Sequence, residues 1–463
     1  MNKAADNNIP TISRVLADGA LVEALYDPAE ASTALAIRLP TGSISIEPHL
    51  DLPDHSRLTP YAAGNNLLSS GCVLLPSDVG AFADKDELVA DVRAFIHRYV
   101  DLSPLFEEIA AYYVLLSWVH DAFNEMPYLR FQGEYGTGKT RALLAVGSLC
   151  YKPFFASGAS TVSPIFHVLD AFGGTLVLDE ADLRFSDATA DLTKILNNGT
   201  MKGLPVLRTM TNRHRELNPQ AFKVYGPKIV AMRDGFHDEA LESRFLTERT
   251  GGRPLRSDIA VSIPDVMHAE ARALRNRLLA WRFAARHGVA IDPARTVEGL
   301  SPRGNQMALP LLSLIDDANL RDRIGRDLVA LEARVVTKRA AAPEATMVRV
   351  LAKLFGSARV THLPLSAVTS AYNEEAGGRG DAPLSVKGAG WLVRGKLGLE
   401  TAKTRGVYVI PQSERGKVSE LADRYGIDPM PRSITDEVEA LGFAARSAKN
   451  MRPAHNLTPV LVS

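Results

Sequence analysis

The chain has 463 residues, 46% of them apolar and 23% charged, a composition that suits an ordinary globular protein of two to four domains. No apolar run approaches the length needed to cross a bilayer, and the polar start, Met1 to Asn8, carries no apolar signal region, so a cytoplasmic protein is expected. The 53 basic and 53 acidic side chains cancel, so any case for nucleic-acid binding has to rest on local patches.

In chain order, residues 1–100 read as a small α+β domain without catalytic signals. Thr33 to Ile46 alternates apolar and polar residues around Pro40-Thr41-Gly42, the pattern of a hairpin. Asp86 to Val100 has the periodicity of an amphipathic helix. Leu105 to Phe123 is a second helix, apolar enough to be mostly buried. Cys72 and Cys150 are too few for a zinc cluster or a disulfide framework, and both sit among apolar residues, so buried thiols are expected.

Residues 101–250 hold the chemistry. Tyr128 to Phe131 reads as a strand that runs into Gly133-Glu134-Tyr135-Gly136-Thr137-Gly138-Lys139-Thr140, a match to GxxxxGK[ST] at every defined position. Glycines let successive backbone N–H groups converge on phosphate oxygens without a Cβ in the way. Lys139 supplies a charge for the β- and γ-phosphates, and the Thr140 hydroxyl is placed to ligate Mg²⁺. Arg141, counted with the nucleotide contacts, opens a helix to Leu149 whose N-terminus faces the phosphates.

A short strand (Phe154–Ala156) and a helix (Val162–Ala171) lead to Thr175-Leu176-Val177-Leu178-Asp179-Glu180, a buried strand ending in two acids. In open α/β sheets ligands sit at that end of the strands. Asp179 is expected in the Mg²⁺ shell, and Glu180 as the general base that polarises the attacking water.

Next come a helix (Ala188–Asn198) and two β-like stretches, Leu204–Met210 and Phe222–Tyr225. They flank Thr211-Asn212-Arg213-His214-Arg215-Glu216-Leu217-Asn218-Pro219. Lys228 to Met232 is a further buried strand, followed by Leu241-Glu242-Ser243-Arg244-Phe245. Residues 251–345 are helical, with a long helix from Ile263 to His287 and at least two more between Thr296 and Arg339. Ala340-Ala341-Ala342-Pro343 reads as a linker.

Residues 346–412 form a compact unit: helices His362–Ala376 and Ser385–Leu397, then a short hairpin, Thr404 to Ile410. Helix, turn, helix and β-wing resembles a winged-helix domain, whose second helix enters a groove. Lys387, Arg394 and Lys396 lie on that helix, and Lys403 and Arg405 lie where the wing falls. A winged helix serves equally as a protein-docking module. Residues 413–463 carry one helix, Glu414–Tyr425.

From the glycine-rich octet through the acidic strand to the arginine, Tyr128 to Phe245 resembles the AAA+ ATPase family. It looks closest to the primase/helicase-like ATPases of phages and integrative elements, relatives of superfamily 3 and MCM-type helicases. The residues that carry the likeness are Leu178-Asp179-Glu180-Ala181-Asp182, Ile195-Leu196-Asn197-Asn198-Gly199, Tyr225-Gly226-Pro227-Lys228 and Glu242-Ser243-Arg244-Phe245.

The resemblance implies an α/β fold, an AAA+ P-loop core with a parallel sheet and a helical lid, which the winged helix and the small N-terminal α+β domain read above then flank. It also implies ATP and Mg²⁺ as cofactors, and a homo-oligomeric, hexameric ring. Arg244 looks like the finger that reaches a neighbouring subunit's γ-phosphate, and Arg303, after Pro302, is similar to the second sensor arginine of the lid. Arg233 or Asp234 stands where a first-sensor Asn, Thr or Ser is usual. Arg213, His214 and Arg215 would sit at the tip of a pore hairpin that grips nucleic acid.

The function implied is a motor on DNA, single-stranded or forked, with helicase-like activity in mobile-element replication and no membrane partner. A nucleotide-switched regulator, helicase loader or defence ATPase would keep the same pocket without processive motion. A small-molecule kinase lacks an acceptor-binding motif here, and no polymerising carboxylate set supports a primase.

Overall fold

The computed structural model describes residues 7–179, 187–211, 217–236, 239–251, 256–340, 342–356, 361–378, 383–404 and 406–427. The chain divides into two compact units, Met1–Val329 and Ala330–Ser463. Among the described residues no helix is long and apolar enough to cross a membrane.

Five strands make the central sheet of the first unit: β1 (Tyr128–Gln132), β2 (Phe154–Ala156), β3 (Leu176–Leu178), β4 (Lys228–Met232) and β5 (Phe245–Arg249). Their order is β5-β1-β4-β3-β2, and every pairing is parallel. The strands are short and apolar because both faces are covered. Along each, alternate side chains enter different cores. Leu129, Phe131, Val177, Ile229 and Ala231 pack under the helices Pro104–Val119, Lys139–Leu149 and Val266–Ala285. Tyr128, Leu176, Leu178, Val230 and Met232 face the helix Val162–Phe172 and the Asp187–Asn198 helix. The Pro104–Val119 helix is buried nearly all round, so its sequence has no polar stripe.

Connections leave β1 and β4 in opposite directions. From β1 the chain passes through the Lys139–Leu149 helix to β2 at the far edge; from β4 it crosses β1 to reach β5. The carboxyl ends of β1 and β4 therefore frame the switch point where such sheets bind ligands.

Before the core, an antiparallel meander (Ser13–Val15, Leu21–Asp27, Ser32–Arg38, Ile44–Glu47) contains the expected hairpin, with Gly42 at φ +93°. One buried ionic cluster ties this sheet to the core. Arg282 Nε donates to Glu23 Oε1 (2.7 Å) and Nη1 to Asp121 Oδ1 (2.8 Å), while Tyr151 Oη donates to Glu23 (2.7 Å). Such a cluster holds only while complete, since removing one partner strands a charge in the interior.

Between β3 and β4 a two-stranded ribbon pairs Val206–Thr211 with Leu217–Phe222. This corrects the expected strand at Phe222–Tyr225: Leu217 to Phe222, taken from sequence as mostly loop, is the second strand. Pro219 sits opposite Thr209 within it. A two-stranded ribbon has only edges, so a missing N–H can face outward without breaking a ladder bond.

The second unit has helices Pro343–Phe355, Leu365–Gly377, Val386–Trp391 and Arg415–Arg424. A three-stranded antiparallel sheet places Val407–Pro411 between His362–Pro364 and Ala402–Thr404. His362 to Pro364 was expected to begin the helix; it extends the sheet instead, and Pro364, at φ −61° and ψ 133°, precedes the first helical turn. The stretch expected as a linker is narrow, with one helix ending at Ala340 and the next starting at Pro343.

Candidate active site

Gly133 to Thr140 leaves the carboxyl end of β1 and runs straight into the Lys139–Leu149 helix. Three glycines shape it, for two different reasons. Gly136 and Gly138 have φ +78° and +85°, a region that L side chains avoid; Gly138 is itself the helix N-cap. Gly133 is required by packing. A Cβ there would lie 2.5 Å from Thr250 Oγ1 and 2.6 Å from the Thr250 carbonyl oxygen.

The loop is held from both flanks. Gly133 N donates to Met232 O of β4 (3.3 Å), and Thr250 N, just past β5, donates to Gln132 O (2.8 Å). Thr137 Oγ1 donates to Glu134 O (2.8 Å) and lies 2.8 Å from Thr250 Oγ1. Lys139 Nζ donates to Glu134 O at 2.6 Å, so the ammonium bends back over its own loop. Glu134, Tyr135 and Thr140 are exposed, Tyr135 most of all. Thr250 is a loop contact that sequence reasoning missed, because it comes from a strand end with no motif.

Asp179 follows β3 on the same edge as the loop, its backbone N–H bonded to Ala156 O (3.0 Å). One strand, β4, separates it from β1, so the two strand ends stand roughly 10 Å apart. Arg233 and Asp234 follow β4 between them. Glu180 lies outside the described residues. A lysine, threonine hydroxyls, helix N-terminal amides and a carboxylate make a donor set that fits a polyphosphate with a hard divalent cation.

Three predicted residues are placed elsewhere. Arg141, in the first turn of the Lys139–Leu149 helix, donates to the carbonyls of Ala260 (2.5 Å) and Val261 (2.8 Å), pinning that segment. Arg244 immediately precedes β5, and Phe245 is in register with Tyr128, the first residue of β1. Arg244 therefore belongs to the amino edge of the sheet, a strand length from its own chain's loop.

Arg303 shares that edge. Burial, then the neighbouring Arg244 charge, lowers its pKa from the usual value. Its Nη1 donates to Gln306 Oε1 (2.5 Å), and Gln306 Nε2 donates to Glu125 Oε1 (3.1 Å). Arg244 Nη1 donates to Asn197 Oδ1 (2.5 Å), Tyr128 Oη to Leu196 O (3.0 Å), and the buried Lys228 Nζ to Val224 O (2.7 Å) and Gly226 O (3.0 Å). Burial pulls the Lys228 pKa down to about 7. Carbonyl partners nevertheless favour the ammonium form, which has three protons to give.

Arg213, His214 and Arg215 lie outside the described residues; the ribbon strands that lead to them are present. In the second unit Lys387, Arg394, Lys396 and Lys403 are all exposed, and Arg405 lies outside the described residues.

No family model and no curated protein matches the chain. Solved structures do. A JCV helicase matches at 16% identity over 46% of this chain and 63% of its own, with a TM-score of 0.25. The NrS-1 C-terminal region matches at 11% identity over 84% and 96%, TM-score 0.33. An SCCmec type IV Cch, an active helicase, matches at 14% identity over 90% and 99%, TM-score 0.35. The chain spans less than two thirds of the JCV helicase it resembles.

Proposed function

We propose that the chain is a Mg²⁺-dependent ATPase of the AAA+ kind that works as a ring on DNA, a helicase-like motor of mobile-element replication. The observation that carries this reading is the Gly133–Thr140 loop. It stands at the switch point of a parallel sheet, has two left-handed glycines and a third excluded from bearing a side chain, and opens the helix that presents Lys139 and Thr140. Helix amides and Lys139 bind the phosphates, Thr140 and Asp179 hold the cation, and Glu180 takes the proton from water. When bound, the nucleotide would supply the phosphoryl group and the metal the positive charge that offsets its oxygens.

The placement of Arg244 on the opposite edge supports a shared site, because a cation a strand length from its own loop can serve the loop of an adjoining subunit. Arg303, beside it, is assigned to the same interface. Residues 251–345 are taken as the lid, residues 346–412 as a winged helix, residues 1–100 as an N-terminal domain, and the ribbon bearing Arg213, His214 and Arg215 as the strand-gripping hairpin.

The test is steady-state ATP hydrolysis with and without single-stranded DNA, alongside displacement of an annealed strand. A motor gives strong stimulation by single strands and releases the annealed strand. Slow turnover that ignores DNA, with nucleotide-dependent assembly alone, would instead identify a switch.

A further inference from the structure

The second unit carries a surface that the ATP chemistry does not use. The helix Val386–Trp391 continues directly into a π-type turn, Leu392–Lys396, a distortion concentrated at functional positions. Ala389, Leu392 and Val393 point inward, while Val386, Lys387, Trp391, Arg394 and Lys396 point out. Trp391 is 60% exposed, against 0% for Trp118 and 2% for Trp281; Tyr408, on the neighbouring strand, is 51% exposed. An indole and a phenol left this open are not part of a core.

Cations flank each ring. The Arg394 guanidinium lies 5.7 Å from the Tyr408 ring centre and Lys403 Nζ lies 6.0 Å from it, while Lys396 Nζ is 5.6 Å from Trp391. Arg394 also donates to Thr401 Oγ1 (3.1 Å). Gly395 lies beside the indole, where a Cβ would come into ordinary contact with Trp391 Nε1 at 3.4 Å. Residues 386–410 hold five basic side chains and one acid, Glu400, in a chain whose total charge cancels.

Phosphates answer the cations in any nucleic acid. The rings ask for more. In a duplex each base is already stacked on its neighbours and shows only its edges in the grooves, whereas an unpaired base offers a free π-face. We infer that Trp391 and Tyr408 stack on unpaired bases while Lys387, Arg394, Lys396 and Lys403 track the backbone, so the second unit binds single-stranded nucleic acid in preference to duplex. The inference rests on the nucleic-acid part of the proposed function and is independent of the ATP pocket.

Trp391 is also the reporter, being the exposed one of three tryptophans. The full chain is titrated without nucleotide against oligo(dT), oligo(U) of equal length and a blunt duplex, following tryptophan emission and the anisotropy of a labelled strand. Single strands should quench the emission at concentrations where the duplex does not. Trp391→Leu should abolish the quench and weaken single-strand binding at least about fivefold, as should Tyr408→Leu for binding. Trp391→Phe should keep the affinity, and Lys139→Ala should keep both signals. Quenching by both oligonucleotides supports stacking on any strand, and quenching by oligo(dT) alone supports a DNA-specific surface. Equal quenching by duplex, or unaltered affinity in Trp391→Leu, overturns the inference. Unchanged emission with ATP turnover still stimulated by single strands overturns it too, while sparing the motor and leaving these rings to a protein partner.

Discussion

Arg244 Nη1 lies 2.5 Å from Asn197 Oδ1, in the last turn of the Asp187–Asn198 helix. That helix leads into the Val206–Phe222 ribbon, and its end is gripped again through Leu196 O by Tyr128. Arg244 is thus held at the sheet's amino edge by the element that continues into the ribbon. Asn197 positions the Arg244 guanidinium.

Arg244→Ala should lower turnover roughly a thousandfold or more while leaving ATP affinity nearly unchanged. Asn197→Ala should lower kcat by a smaller factor with KM for ATP retained, and should add little to Arg244→Ala in the double variant. Mixing Arg244→Ala with Glu180→Gln chains should recover part of the turnover, because some interfaces then combine an intact pocket with an intact finger. A mixture as inactive as its components would refute the shared site.

Arg130, in the middle of β1, is 5% exposed and bidentate with Glu242 (2.5 and 2.7 Å); Glu242 also accepts from Phe236 N (2.5 Å). Glu242→Ala strands the guanidinium in the sheet and should destabilise the first unit by about 3–5 kcal/mol. Arg130→Met with Glu242→Leu should return much of that loss. Urea unfolding measures both, and a loss under about 1 kcal/mol for the single variant would deny the pair its structural role.

How far the sequence could be read depended on how local each signal was. The strand into Gly133, the helix from Lys139 and the strand before Asp179 follow from apolar runs and glycine spacing, which act within a few residues. Leu217 to Phe222 escaped because Asn218 and Pro219 are turn formers, and only pairing with Val206–Thr211 makes them strand. Arg141 escaped for a similar reason: its position in the motif says nothing of Ala260 and Val261, 119 and 120 residues away. Thr250 carries no motif at all, the motif around Asn197 does not show that its side chain meets Arg244, and the pairing of Arg244 with Arg303 exists only once the sheet order is fixed.

His120 is buried, with Nδ1 2.8 Å from Ser117 O; a carbonyl only accepts, so Nδ1 carries the proton of the neutral ring. Desolvation holds its pKa down at about 4 against 6.5. Between those values the folded chain binds fewer protons than the unfolded one, so stability is full above pH 6.5 and falls as pH drops toward 4. The loss approaches about 3 kcal/mol. Unfolding free energies at pH 7 and pH 5 should differ less in His120→Asn than in the wild type. An equal difference in the two would show that His120 does not titrate with folding.

The most direct test is Mg²⁺-dependent release of phosphate from ATP by the wild-type chain beside Lys139→Ala. Turnover that requires Mg²⁺ and disappears in Lys139→Ala, together with nucleotide binding, is the predicted result. Hydrolysis at the same rate in both proteins would place the chemistry somewhere other than the Gly133–Thr140 loop, and no binding or turnover by the wild type would mean the loop does not serve ATP.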